Sequence, residues 1–260
     1  METMTPKSVI SIQDLSFAFV TEKPVFKGLN LDLGGENPDE ANPVVILGPS
    51  GCGKTTLLKL MAGLLKPDSG ELAILSHSIK SRSINQLTAN AVSMVFQEPR
   101  LLPWKTALRN IRLPIEEKLG KKEAEERARH FLSLVSLSHK TSSLPRELSG
   151  GEQQRVNLAR AFACPSEVLL MDEPFQSLDI PLRIKLMDLT LSLLENCPRL
   201  AVIVSHEPRE AVYMGKRILA LGQAGQGVIH DEEVNLCRSD RRYGSSAMGI
   251  IEQRLLEKLG

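Results

Sequence analysis

The sequence predicts an α/β fold: a core with a mainly parallel sheet, an antiparallel β subdomain beside it, and an α-helical subdomain inserted into it. Three observations predict this. Residues 44–47 (Val-Val-Ile-Leu), 168–171 (Val-Leu-Leu-Met) and 201–204 (Ala-Val-Ile-Val) are short unbroken apolar runs, as in strands buried on both faces. Each is followed by a turn and a helical pattern, the alternation of right-handed βαβ crossovers. Two earlier stretches, 9–19 and 25–33, alternate apolar and polar residues, as strands of an antiparallel sheet do.

In chain order, Val9, Ile10 and Ile12 lead to Leu15, Phe17 and Phe19 in the first strand, and a second strand follows at 25–33. Residues 34–43 form a turn-rich, acidic loop. The buried run at 44–47 precedes a glycine-rich turn and a helix at 54–65. A further strand is expected at 92–96. From 106 to 138 the pattern is helical and highly charged, as on a solvated helix face. After Pro145 comes a glycine turn and then a helix at 152–162. In the tail, Ile251, Leu255 and Leu259 recur every four residues and make one apolar helical face. That face either packs on its own domain or serves a regulatory or dimer contact. The chain reads as one domain over 1–260. Its β-rich core takes 1–96 and 165–237, its helical subdomain 97–164, and its helical tail 238–260.

Composition narrows the function. The 260 residues include 42% hydrophobic ones, enough for a sizeable core. Lysine plus arginine number 32 against 31 acids, a net charge of +1. That balance gives no general attraction to nucleic acid or to anionic membrane. Cys52, Cys164, Cys197 and Cys237 form no CxxC pair, so they read as free thiols in a reducing compartment. The first 14 residues lack a signal-peptide apolar core. No apolar stretch reaches the roughly 18 residues of a membrane helix, so any service to a membrane passes through a partner.

Gly48-Pro49-Ser50-Gly51-Cys52-Gly53-Lys54-Thr55 matches GxxxxGK[ST], after a buried strand and before a helix. Glycines let the backbone turn its N–H groups onto phosphate oxygens, and the helix N-terminus adds its dipole. Lys54 would reach the β- and γ-phosphates, and the Thr55 hydroxyl would ligate Mg²⁺. The core is therefore expected to be of P-loop NTPase type. The strand at 168–171 ends in Asp172 and Glu173, and parallel sheets bind ligands at such strand ends. Asp172 would hold the Mg²⁺ shell. Glu173, pointing the other way along the pleat, would polarise the attacking water as general base.

Leu148-Ser149-Gly150-Gly151-Glu152-Gln153-Gln154-Arg155 resembles the signature motif of ATP-binding-cassette (ABC) ATPases. Alone it reads as a glycine-rich helix start with a serine cap. The resemblance covers nearly the whole chain, in the family's order, and it implies the remaining roles. Phe19 sits where the family stacks an aromatic ring on adenine, although Phe17 shares its expected strand face. Gln97 resembles the family's Q-loop glutamine, a γ-phosphate sensor and metal ligand. Ser177-Leu178-Asp179 resembles the D-loop, and His206 the catalytic switch histidine. The implied ATP-binding set is Phe19, the cradle from Gly48 to Thr55, Thr56, Gln97, Ser149, Gly150, Gly151, Glu152 and Asp179. Catalysis falls to Glu173, His206 and Lys54, and Mg²⁺ to Thr55, Gln97 and Asp172.

By the family's architecture the turn at Ser149 is a second anion site that faces the cradle of a second copy, two chains packing head to tail around two ATP molecules. The implied partners are that second copy, separate transmembrane permease subunits and, indirectly, a substrate-binding protein, at the cytoplasmic face of the membrane. Residues 97–104, Gln-Glu-Pro-Arg-Leu-Leu-Pro-Trp, are similar to those of nitrate, sulfonate and taurine importers. Trp104, the single tryptophan, is expected either at the permease-docking surface or as a plug in the subdomain core. The alternative function is a non-transport ABC ATPase. Chromosome types insert a long coiled coil between cradle and signature, and this chain has no sustained heptads there. Ribosome-associated types usually carry two cassettes.

Overall fold

The computed structural model describes residues 10–20, 22–34, 42–74, 77–80, 91–176 and 178–259. Val9, most of the acidic loop and Ser177 lie outside the described residues. The strands are β1 (Ile10–Val20), β2 (Lys23–Leu33), β3 (Asn42–Leu47), β4 (Ser69–Ile74), β5 (His77–Lys80), β6 (Val92–Val95), β7 (Val168–Asp172), β8 (Leu200–Ser205), β9 (Arg217–Leu221) and β10 (Val228–Glu233). The helices are α1 (Lys54–Met61), α2 (Ala107–Leu119), α3 (Lys121–Leu134), α4 (Gly150–Ala163), α5 (Ile180–Asn196), α6 (Pro208–Met214) and α7 (Ser246–Leu259).

Two sheets form. The smaller, ordered β2-β1-β4-β5, is antiparallel throughout. The larger is ordered β10-β9-β3-β8-β7-β6 and is parallel except for its β10 edge. The three apolar runs sit side by side at its centre as β3, β8 and β7. Alternation along β3 divides the core. Val44 and Ile46 face a cluster shared with α1 and the small sheet, while Val45 and Leu47 face one shared with the other helices, as a period of two requires. Each such Val, Leu or Ile side chain contributes about 1.5–3 kcal/mol by burial.

Register places the site. Leu47 lies opposite Ser205 and Asp172 opposite Val204. The carboxyl ends of β3, β7 and β8 therefore finish at one edge, and the segments after them start there together.

Several elements depart from the sequence expectation. β4, β5, β9 and β10 were not expected, although residues 218–221 of β9 form a short, fully buried apolar run. The stretch at 106–138 is two helices, because Gly120 at φ 78° closes α2 and opens α3. Its charges lie on a largely solvated face, with Arg112 and Arg129 paired to Glu125; water and salt screen such pairs, so they add little stability. Ala107, Ile111, Ala128 and Phe131 on the other face are buried. The helix expected at 54–65 ends at Met61. In the tail, Leu255 is fully buried, and Ile251 and Leu259 pack beside it on the main core, so this face belongs to its own domain. Among the described residues no helix is long and apolar enough to cross a membrane.

Candidate functional site

The turn between β3 and α1 folds over the sheet edge. Gly53 stands at φ 108°, and a Cβ there would come within 2.5 Å of Val25 and 2.9 Å of Phe26. Only glycine combines that backbone with that approach. Lys54 is buried, and its Nζ donates to the carbonyls of Gly48 (2.7 Å) and Pro49 (2.9 Å). The ammonium is thus held inside the loop it serves. The Cys52 side chain points the other way, into the apolar cluster beneath. Burial pushes its thiol up, against the opposing charge of Lys54, so only its backbone is available to the cradle.

Beside the loop opens a cleft of about 390 Å³, lined among others by Phe19, Gly51, Lys54, Thr55, Thr56 and Glu173. Phe19 is 66% exposed and Phe17 only 7%. Regular alternation would put both on one face. Phe17 lies in the core with its ring centroid 4.9 Å from that of Phe19 and the two planes nearly perpendicular, and the pairing of β1 with β2 shifts register between Phe17 and Ala18. Phe19 is free to present a ring face to the cleft.

At the cleft floor the Thr55 hydroxyl donates to Asp172 Oδ1 at 2.8 Å. Glu173 lies past the strand, not on its pleat as expected. Its φ of 42° is left-handed, a conformation that costs a non-glycine residue about 1–3 kcal/mol and concentrates at functional sites. The Glu173 N–H donates to the Val204 carbonyl at 3.1 Å, which ties this kink to the end of β8. Glu173 Oε2 lies 3.3 Å from His206 Nδ1. One carboxylate thus faces both the cradle and the histidine.

Gln97 does not line the cleft; its amide nitrogen donates to Gln176, three residues after Glu173. A network on α4, buried at Gln154 and Asn157 and half-buried at Arg160, holds these loops. Gln154 donates to the Pro174 carbonyl at 2.6 Å, Asn157 to that of Phe96 at 3.0 Å, and Arg160 to those of Pro99 (2.7 Å) and Arg100 (3.0 Å). Sequence reading missed Gln176, Gln154, Asn157 and Arg160. Polar residues every third position at 154, 157 and 160, interleaved with Val156, Leu158 and Ala159, were the available signal.

The turn at residues 148–151 opens α4. The Ser149 hydroxyl accepts from the Glu152 N–H at 3.3 Å, and Glu152 Oε2 accepts from the Ser149 N–H at 2.8 Å. That is a capping box, so the cap reading holds within this chain. The Ser149 N–H chiefly holds the Glu152 carboxyl below its ordinary range. Gly150 and Gly151 form the first turn of the helix. A Cβ on Gly150 would meet nothing within 4 Å, while one on Gly151 would meet Leu182 at 2.9 Å. Asp179 caps α5, its Oδ1 accepting from the Leu182 N–H at 2.9 Å. The structure thus brings Phe19, the cradle, Asp172, Glu173 and His206 together. Ser149, Gly150, Gly151, Glu152 and Asp179 do not line that cleft.

A family model described as "ABC transporter" matches residues 37–176. The chain is 38% identical over 238 residues to the "Aliphatic sulfonates import ATP-binding protein SsuB 2" of Pseudomonas syringae pv. syringae, covering 91% of this chain and 77% of that one. It is 35% identical over 257 residues to the SsuB protein of Granulibacter bethesdensis, covering 99% and 97%. Among solved structures it is similar to the ATP-binding cassette MJ0796, described as a dimer in a post-hydrolysis state bound to ADP and Pi. That match has a TM-score of 0.72 and 29% identity, over 88% of this chain and 100% of the other. The cbiO1 protein of Clostridium perfringens shares the fold, with a TM-score of 0.77, 22% identity and coverage of 88% and 89%.

Proposed function

The chain belongs to the ABC transporter family, as an ATP-binding subunit that energises transport across a membrane, and we propose that the cleft beside β3, β7 and β8 hydrolyses ATP with Glu173 as general base. One observation carries this reading: Lys54, the Thr55–Asp172 pair and the Glu173–His206 contact share one sheet edge.

The Thr55 hydroxyl and the Asp172 carboxylate are adjacent hard oxygen donors. Mg²⁺ is held in this way, by one or two protein oxygens together with substrate phosphates. The residues present fit it. When bound, Mg²⁺ neutralises charge on the β- and γ-phosphate oxygens. Lys54 adds a charged donor to those oxygens, and Phe19 offers a π-face to adenine. Glu173 takes a proton from water as the water oxygen bonds to the γ-phosphorus and the bond to the bridging oxygen breaks. His206 orients that carboxylate through its Nδ1 contact.

Gly150 in open space, and a dimeric relative at 29% identity, support a second copy closing over the cleft with its own Ser149-Gly150-Gly151 turn. Relatives described as aliphatic sulfonate import proteins support a sulfonate or similar small anion as cargo. It would be passed by a substrate-binding protein to permease subunits that hold this chain at the cytoplasmic face. Trp104 is 69% exposed, which removes the core-plug reading and favours the docking one.

The test is Glu173→Gln. Steady-state turnover falls about 10²–10⁴-fold, the contribution of a positioned base, while ATP affinity is kept. On sizing chromatography with ATP the variant runs as a dimer. Turnover near the wild-type rate moves the base to another residue.

A further inference from the structure

Behind the Glu173–His206 contact lies a second polar cluster that the hydrolysis chemistry leaves unused. Glu173, His206, Arg183, Ser205 and Glu210 are among the residues that line one cavity of about 30 Å³. Arg183 comes from the first turns of α5 and Glu210 from α6. Arg183 Nη2 donates to the Leu178 carbonyl at 3.2 Å. Its Nη1 lies 3.4 Å from Glu210 Oε1 and 3.7 Å from Glu207 Oε2. The other Glu210 oxygen, Oε2, accepts from the Ser205 hydroxyl at 2.7 Å. That hydroxyl oxygen accepts in turn from the Glu207 N–H at 3.0 Å. His206 sits between Ser205 and Glu207, so its turn is pinned on both sides.

Glu210 and Ser205 are buried, and desolvation pushes the Glu210 carboxyl up. A charge pair placed this deep adds little net stability, because the cost of desolvation offsets the attraction. What it supplies is a link between segments. One guanidinium donates to the Leu178 carbonyl from Nη2, while its Nη1 lies within ion-pair distance of Glu210 and Glu207.

We propose that Arg183 and Glu210 form a positioning bridge that locks the turn carrying His206, and with it the imidazole against Glu173, to the loop that opens α5. The bridge touches neither nucleotide nor reacting atoms and acts through His206. It therefore rests on the catalytic reading of Glu173 and His206. Because one guanidinium serves both segments, a displacement of Leu178 and Asp179 is passed to the hydrolysis centre.

The experiment measures kcat and KM for ATP in Glu210→Gln and Arg183→Lys, each in the wild-type and His206→Ala backgrounds, with single-turnover assays for slow proteins. In the wild-type background Glu210→Gln lowers kcat about ten- to a hundred-fold, as a small misplacement of a catalytic group does. KM stays within about two-fold. Arg183→Lys keeps the charge but loses the fork that reaches both segments, and lowers kcat by a smaller factor. With His206 already removed, Glu210→Gln causes no further loss, because residues acting in series are not additive. An equal loss in both backgrounds, or an unchanged kcat, overturns the bridge. A His206→Ala protein that turns over at the wild-type rate removes the catalytic reading and the bridge with it. Circular dichroism checks folding; if Glu210→Gln does not fold, Arg183→Lys in the two backgrounds gives the same comparison.

Discussion

Asn157→Leu removes the amide at the centre of the joint between α4 and the loop after β6. The side chain is fully buried, and leucine branches at the same carbon, so the change is chiefly in polarity. Asn157 Nδ2 donates to the Phe96 carbonyl at 3.0 Å, and Oδ1 accepts from Arg160 Nη2 at 2.8 Å. Leaving the Phe96 carbonyl unpaired costs about 1–3 kcal/mol, and a lost bond to a charged donor about 1.5–3. Arg160 keeps the Pro99 and Arg100 carbonyls, so its share falls at the low end. The expected total is about 3–4 kcal/mol, a large part of a stability of about 5–15 kcal/mol. It corresponds to a fall of about 10 °C in Tm. Urea and thermal unfolding followed by circular dichroism measure it. Fluorescence is the poorer probe, since Trp104 is already exposed. Turnover should fall as well, because Gln97 directly follows the released carbonyl. A loss below about 1 kcal/mol, within the range of a surface substitution, would refute the claim that Asn157 fastens the loop to α4.

Two further outcomes are expected. Trp104 should emit like a water-exposed indole in the isolated chain and shift to the blue when permease is added; blue emission already present in the free chain, unchanged on assembly, counts against docking. Glu152→Gln keeps the capping geometry and loses the charge at the start of α4, worth about 0.3–1 kcal/mol at neutral pH. The folded carboxyl is held below its ordinary value of 4.5, first by the Ser149 N–H. Its contribution is therefore present above that value and lost as pH falls through the folded one. The Tm difference between wild type and variant, measured from pH 7 to pH 3.5, should narrow below about pH 4.5. A constant difference would place the effect outside the charge.

The runs that became β3, β7 and β8 were legible because nearly every residue in them is buried, which leaves an unbroken apolar signature. The cradle was legible for a related reason: close approach of backbone to phosphate demands glycines, and the demand is local. The same holds for Asp172, which needs only to end a strand. Residues 228–233 were not legible, since a strand at the sheet edge with no fully buried residue carries little pattern of its own; residues 218–221 do form a short buried apolar run like that of β3, which the sequence expectation omitted. Alternation left open which of Phe17 and Phe19 is core, and the packing around β1 decided it: Phe17 is buried and Phe19 exposed. Glu173 was found, yet its aim was not. That aim comes from a left-handed kink bonded to Val204, some thirty residues on in the chain. Gln176, Asn157 and the Arg183–Glu210 bridge were out of reach for the same reason. Local sequence determined which groups of this protein can do chemistry, through backbone geometry and the alternation of burial. Only the tertiary structure decided which of them meet, because that depends on the order of strands in the sheet and on bonds between segments far apart in the chain.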